Sequence, residues 1–140
     1  MANLDSFVAA ADKVNDAANP EALALYAAFR SEPLVSDIPG RAMQLTSVLR
    51  EFRGSAHLVA VRAMGLSGKQ AHFIKRPNDV AMFGWTPEDA PHIDDDVRQR
   101  MVEAEKLTDR IVASAFAVLN DGERADLLAG AKAIKQAFSA

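Results

Sequence analysis

Residues 57–76 read HLVAVRAMGLSGKQAHFIKR, and this run decides how the rest of the chain is understood. It has the form of a helix, a tight turn and a second helix. Gly65 stands where such a turn needs a residue at ease with positive φ. Ala60, Met64, Leu66, Ala71 and Ile74 fall where two short crossed helices make their apolar contacts. Ala60 and Ala71 are small enough for the crossing, while Val61 is bulkier than the alanine usual nearby. The pattern is that of a helix-turn-helix unit over about 55–76, with one helix at about 55–64 and another at about 67–76.

The second of these helices carries Lys69, Gln70, His72, Phe73, Lys75 and Arg76. Lysine, arginine and glutamine bond phosphates and base edges. Lys69, Gln70, His72, Lys75 and Arg76, with Arg53 upstream, are therefore the candidate DNA contacts. The same surface also reads as a small-molecule pocket. Phe73, Met82, Phe83 and Trp85 lie close in sequence, and His57 and His72 sit on adjacent helices. That reading makes His57, His72, Phe73 and Trp85 the candidate ligand contacts. A helical hairpin packed inside a bundle would carry the same apolar pattern.

Charge is unevenly spread. The chain has 140 residues and a formal net charge of −3, which argues weakly against nucleic acid. Yet residues 41–76 hold seven basic side chains against one acid, Glu51, while residues 77–110 hold nine acids against four bases. A basic centre between acidic arms is an electrostatic footprint for DNA on one face, or simply a solvated face.

Outward from the centre the chain reads as helices. Leu4, Phe7, Val8, Ala11 and Val14 recur at helical spacing, so a helix is expected over 4–17. Asn19-Pro20-Glu21 is a start signal for a second, carrying Leu25, Tyr26 and Phe29 and stopping before Pro33. Residues 33–40, with Pro33, Pro39 and Gly40, read as a loop. Leu45, Val48, Leu49 and Phe52 line a third helix ending near Gly54. Ser67 is the expected N-cap of the second helix of the central unit, and Pro77 its end. Residues 79–93 lack a helical period and read as a small β wing, with a strand at Val80–Trp85 and another near His92-Ile93. Its tip, Thr86-Pro87-Glu88-Asp89, would repel phosphate. Asp94, Asp95 and Asp96 open the longest helix, about 95–118, buried through Val97, Met101, Ala104, Leu107, Ile111 and Ala115. Asn120 with Glu123 starts a last helix carrying Leu127, Leu128, Ala131, Ile134 and Phe138.

Several function classes are not expected. The chain has no cysteine, so disulfides, thiolate metal sites and a cysteine nucleophile are excluded. This composition fits a reducing cytoplasm. No apolar run approaches membrane-spanning length. The opening residues, MANLDSFVAAADKVND, carry acids and no basic region, so no signal peptide is expected. Gly65-Leu66-Ser67-Gly68 does not have the glycine spacing of a nucleophile elbow. No catalytic constellation, metal set or cofactor motif is read, and an enzyme is not expected.

Residues 49–66, LREFRGSAHLVAVRAMGL, resemble the central segment of an uncharacterised actinobacterial helix-turn-helix family, on Arg53, Gly54, His57, Gly65 and Leu66. Gly84-Trp85 and the run Glu105, Thr108, Asp109 are similar to later patterns of that family, so the resemblance covers roughly 45–138. Ser55 stands where that family often has an acid. The order of elements is further similar to MarR-type regulators, which are dimers of winged helices joined through their N- and C-terminal helices. These resemblances imply a mainly α single domain, 1–140, of six to seven helices with a helix-turn-helix core and a small β wing. The terminal helices carry Leu4, Phe7, Val8, Leu127, Leu128, Ile134 and Phe138, more apolar surface than a small monomer tolerates, so a symmetric homodimer built from them is expected. With the resemblance this gives a cytoplasmic regulator that binds double-stranded DNA, with a small-molecule effector and no membrane partner. The alternative is a helical small-molecule-binding or protein-interaction domain that does not bind DNA.

Overall fold

The computed structural model describes residues 3–139. Six α-helices follow one another: α1 (Leu4–Ala17), α2 (Ala24–Arg30), α3 (Ile38–Ala63), α4 (Gly68–Lys75), α5 (Asp95–Phe116) and α6 (Asp121–Ala137). Two 3-10 helices, Pro77–Phe83 and Pro87–Asp89, lie between α4 and α5. The chain forms two compact units. One comprises the chain up to Ser55 and again from Val112 on; the other is Ala56–Ile111. Helices α3 and α5 contribute residues to both.

The first unit is built on α1. Asn3 caps it by accepting the Asp5 N–H at 2.9 Å. Phe7, Val8 and Ala11 meet Ala42 and Leu45 of α3, with Leu4, Ile38, Leu49, Leu127 and Ile134 around them. Helices α1 and α6 pack together. At their closest approach a Cβ on Gly130 would lie 2.5 Å from the Phe7 ring, so only glycine fits there. Lys13 pairs with Glu123 at the start of α6. That bond and the Asn120 N–H hold the Glu123 carboxyl below its usual range. As expected, Asn120 and Glu123 form a capping box.

Tyr26 is the fully buried side chain of α2. Its hydroxyl donates to Asn15 Oδ1 at 2.9 Å and its ring lies 4.9 Å from that of Phe52. Burial raises its pKa. No side chain caps α2 locally; instead Ser55 Oγ on α3 accepts the Tyr26 N–H at 3.3 Å.

Several boundaries differ from the sequence reading. The third helix does not end near Gly54: α3 continues to Ala63, so the first helix of the helix-turn-helix is the end of a 26-residue helix. A mid-helix glycine costs only about 0.5–1 kcal/mol, too little to break a helix buried on both sides of it. Helix α3 also starts earlier than expected. Asp37 Oδ1 accepts the Gly40 N–H at 2.8 Å, and Pro39 occupies the first turn, where its missing donor costs nothing. Asn19-Pro20 does not open α2. Leu23 N–H donates to the Pro20 carbonyl at 3.0 Å, closing a turn whose third residue, Ala22, has φ of 61°. Leu25 and Phe29 point outward, as do Leu128 and Phe138.

The β wing is absent: no strand occurs among the described residues. Residues of the expected first strand are taken up instead by the 3-10 helix Pro77–Phe83, and both 3-10 helices begin at a proline, whose fixed φ suits a helical first turn. Gly84, at φ of 70°, closes the first of them.

The turn at Ala22 gives a test. An alanine in the left-handed region is strained, so Ala22→Gly should raise stability by up to about 1 kcal/mol, read as a higher denaturant midpoint with unchanged slope. An unchanged or lowered midpoint would mean that the turn is unstrained.

Candidate nucleic-acid interface

The second unit holds the helix-turn-helix. Helix α3 ends in two backbone bonds: Leu66 N–H reaches the Val61 carbonyl and Gly65 N–H the Arg62 carbonyl, both at 3.0 Å. This is the Schellman arrangement, and it requires its left-handed residue to be Gly65, at φ of 69°. Two cations lie on the carbonyls of this turn, where the helix dipole is negative. Arg62 donates to the Leu66 carbonyl at 3.1 Å and Arg100 to that of Met64 at 3.2 Å.

Leu66 is 0% exposed. It packs with Ala60, Val61, Ala71, Val97, Met101 and Ala104, ringed by Met64, Ile74, Ile93, Leu107 and Ile111. The expected crossing residues Ala60 and Ala71 are in this core, and bulkier Val61 is buried with them. Ser67 then starts α4 with a capping box: its Oγ accepts the Gln70 N–H at 3.1 Å, and its own N–H donates to Gln70 Oε1 at 3.0 Å.

The candidate DNA contacts meet different surroundings. The Lys69 ammonium lies 5.3 Å from the Trp85 ring centre and 6.0 Å from that of Phe73. Gln70 is engaged by the capping box, and its amide also donates to the His92 carbonyl at 3.2 Å. Lys75 pairs with Glu105 at 2.9 Å. Arg76, the C-cap of α4, is exposed and has no ion pair among the described residues. Arg53 is exposed on α3 and belongs to the first unit.

The candidate ligand contacts separate into two groups. His72, Phe73 and Trp85 come together with Phe83. Trp85 stacks on Phe83 at 5.0 Å and on Phe73 at 5.9 Å, and His72 meets Phe83 edge-on at 4.5 Å. His72 Nε2 is buried without a hydrogen-bond partner. Met82 and Phe83 extend outward from this cluster. His57 lies elsewhere, with Thr108. The Thr108 hydroxyl donates its one proton to the Ala104 carbonyl at 2.8 Å, so it accepts from His57 Nδ1 at 3.1 Å. This bond fixes the ring tautomer. His57 Nδ1 is also 4.0 Å from the Glu105 oxygen that Lys75 holds. The polar group His57, Glu105, Thr108 and Lys75 thus joins α3, α4 and α5 inside this unit. The sequence pointed to Glu105 and Thr108 only as a resemblance, without their link to His57. No group of three metal-ligating side chains occurs among the described residues.

Gln70 allows its local role to be tested. Gln70→Ala should destabilise the protein by about 0.3–1.5 kcal/mol, while Gln70→Glu, which keeps the box, should restore most of the loss. Equal melting temperatures for all three proteins would remove the capping role.

Residues 1–100 match the model of a family described as a helix-turn-helix family, a span that includes the Schellman turn, α4 and both 3-10 helices. No curated protein and no solved structure matched the chain. The chain belongs to this helix-turn-helix family.

Proposed function

We propose that the second unit sets α4 against double-stranded DNA, and that the protein has a binding role, not a catalytic one, as a transcriptional regulator. The observation that carries this reading is the helix–Schellman turn–capped helix with Lys69, Lys75 and Arg76 distributed along α4 and its C-cap. The ties on these cations are weak. A surface ion pair such as Lys75–Glu105 is worth about 0–1 kcal/mol, and an exposed cation–π contact such as Lys69–Trp85 about 0.5–1 kcal/mol. Phosphates can displace both. Gln70 caps α4 and His72 packs on aromatic rings, so the contacts left to α4 are to phosphate, which position a protein without reading sequence.

The resemblance to MarR-type regulators adds a homodimer, a small-molecule effector and a cytoplasmic setting to the proposal. The dimer draws support from α6. Leu128 is 56% and Phe138 74% exposed, and Leu128 borders an apolar hollow of about 330 Å³ with Phe116, Leu119 and Leu127. Apolar area of this kind on a small protein marks an interaction surface. No helix of the described residues is long and apolar enough to cross a membrane.

A second reading, the small-molecule or protein-interaction domain, is favoured by one observation. The Phe73–Trp85–Phe83 stack leaves Phe83 56% exposed, beside Met82.

Affinity for a mixed-sequence duplex, measured against salt, separates the two. Three phosphate contacts per chain give a log–log slope of about −2.7, and removing Lys75 and Arg76 together should reduce its magnitude by about 1.8 while weakening binding. The melting temperature should change little. Absence of wild-type binding to any duplex at low salt would overturn the DNA reading. Sedimentation as a monomer at micromolar concentration would overturn the dimer.

A further inference from the structure

The first unit contains a groove of about 660 Å³ between α1, α2 and the segment leading into α3. None of its lining residues lies on α4. Three polar groups in it keep bonding capacity.

The first is Asn15, 9% exposed. Asn15 lines the groove, and its Oδ1 accepts from the Tyr26 hydroxyl, which leaves the amide nitrogen as its uncommitted end. That nitrogen has no partner among the described residues. The second is Arg30. One Nη donates to the Ala18 carbonyl at 2.9 Å, and its carbon lies 5.4 Å over the Tyr26 ring. Its remaining N–H groups have no partner among the described residues. The third is Asp16, which forms no ion pair among the described residues. Asp16 and Arg30 line the same groove and carry opposite charges.

The groove also has apolar lining, on a segment whose backbone is held. Leu34 and Val35 border the groove and are exposed. Gln44 fastens the segment that carries them. It donates to the Pro33 carbonyl at 2.8 Å and accepts the Val35 N–H at 3.0 Å. Arg41 donates to the same Gln44 oxygen at 2.8 Å and pairs with Asp12. The walls are therefore organised before any ligand arrives, which lowers the entropic cost of binding.

We infer that this groove binds a small zwitterion with an apolar side chain, of the class of the apolar α-amino acids. The ammonium faces Asp16. The carboxylate takes the guanidinium N–H groups of Arg30 and the Asn15 amide, an acceptor matched to several donors. The side chain lies on Leu34 and Val35.

L-Leucine is the probe, titrated into the full chain and followed by NMR at the Asn15 side-chain amide and the backbone of residues 33–37. Saturable shifts at those positions are expected in the millimolar range or below. Leucinamide, which lacks the carboxylate, and 4-methylpentanoate, which lacks the amine, should each bind more weakly. Asp16→Asn should weaken leucine about tenfold, the loss of one good ionic contact. Asp16 is exposed near the C-terminus of α1, so neutralising it should leave the melting temperature unchanged or slightly raised. No shift with millimolar leucine would overturn the inference, as would equal binding by the Asp16→Asn variant or by 4-methylpentanoate.

Discussion

The second unit hangs on one backbone hydrogen bond, from Leu66 N–H back to the Val61 carbonyl. The bond closes only with Gly65 left-handed. Once closed, it turns Leu66 inward to fill the space between Ala60, Ala71 and Met101. It also leaves Ser67 extended, with its hydroxyl free to cap the next helix. The direction of α4, and therefore the direction of every side chain on it, follows from that sequence of steps. Arg62 and Arg100 add to it by holding the turn's carbonyls.

What could be read from the chain beforehand was what is local. Ser67 as a cap and Asn120 with Glu123 involve partners three residues apart, and the burial of Val97, Met101 and Ala104 follows from helical period alone. The errors arose where two local signals competed. Gly54 looked like a terminus, but nothing beside it offered a better arrangement than continuing the helix; Ser55, the natural capping residue there, accepts instead from Tyr26, 29 residues away. Asn19-Pro20 looked like a helix start and became a turn. Residues 79–93 lack the α-helical period and so read as a wing, yet a 3-10 turn has a different period, and Pro77 and Pro87 each open one. The grip of Gln44 on residues 33–35 spans nine to eleven positions and left no trace in any local pattern.

The candidate contacts show the same division. Lys75 and Arg76 face outward as the helical spacing implied. Gln70 and His72 do not offer their polar groups so openly, and for Gln70 the warning was present: it stands three residues after a serine cap, where glutamine closes a capping box. A glutamine that reads adenine and one that caps a helix are the same letter, and only position relative to the cap separates them. The pairing of His57 with Thr108 crosses 51 residues and could not be derived from either alone.

Under the proposed role a duplex would be held by Lys69, Lys75 and Arg76 through charge, and charge contacts do not distinguish sequences. Specificity must then come from outside α4's polar side chains. One source is the shape and deformability of the DNA itself. Another is a second copy, since two such units at fixed separation select sites about one helical turn, or 34–36 Å, apart even when each unit alone is indifferent. In a molecule whose Gln70 caps a helix and whose His72 packs on aromatics, selectivity under the proposed role would rest on DNA shape or on a second copy, not on base contacts from α4.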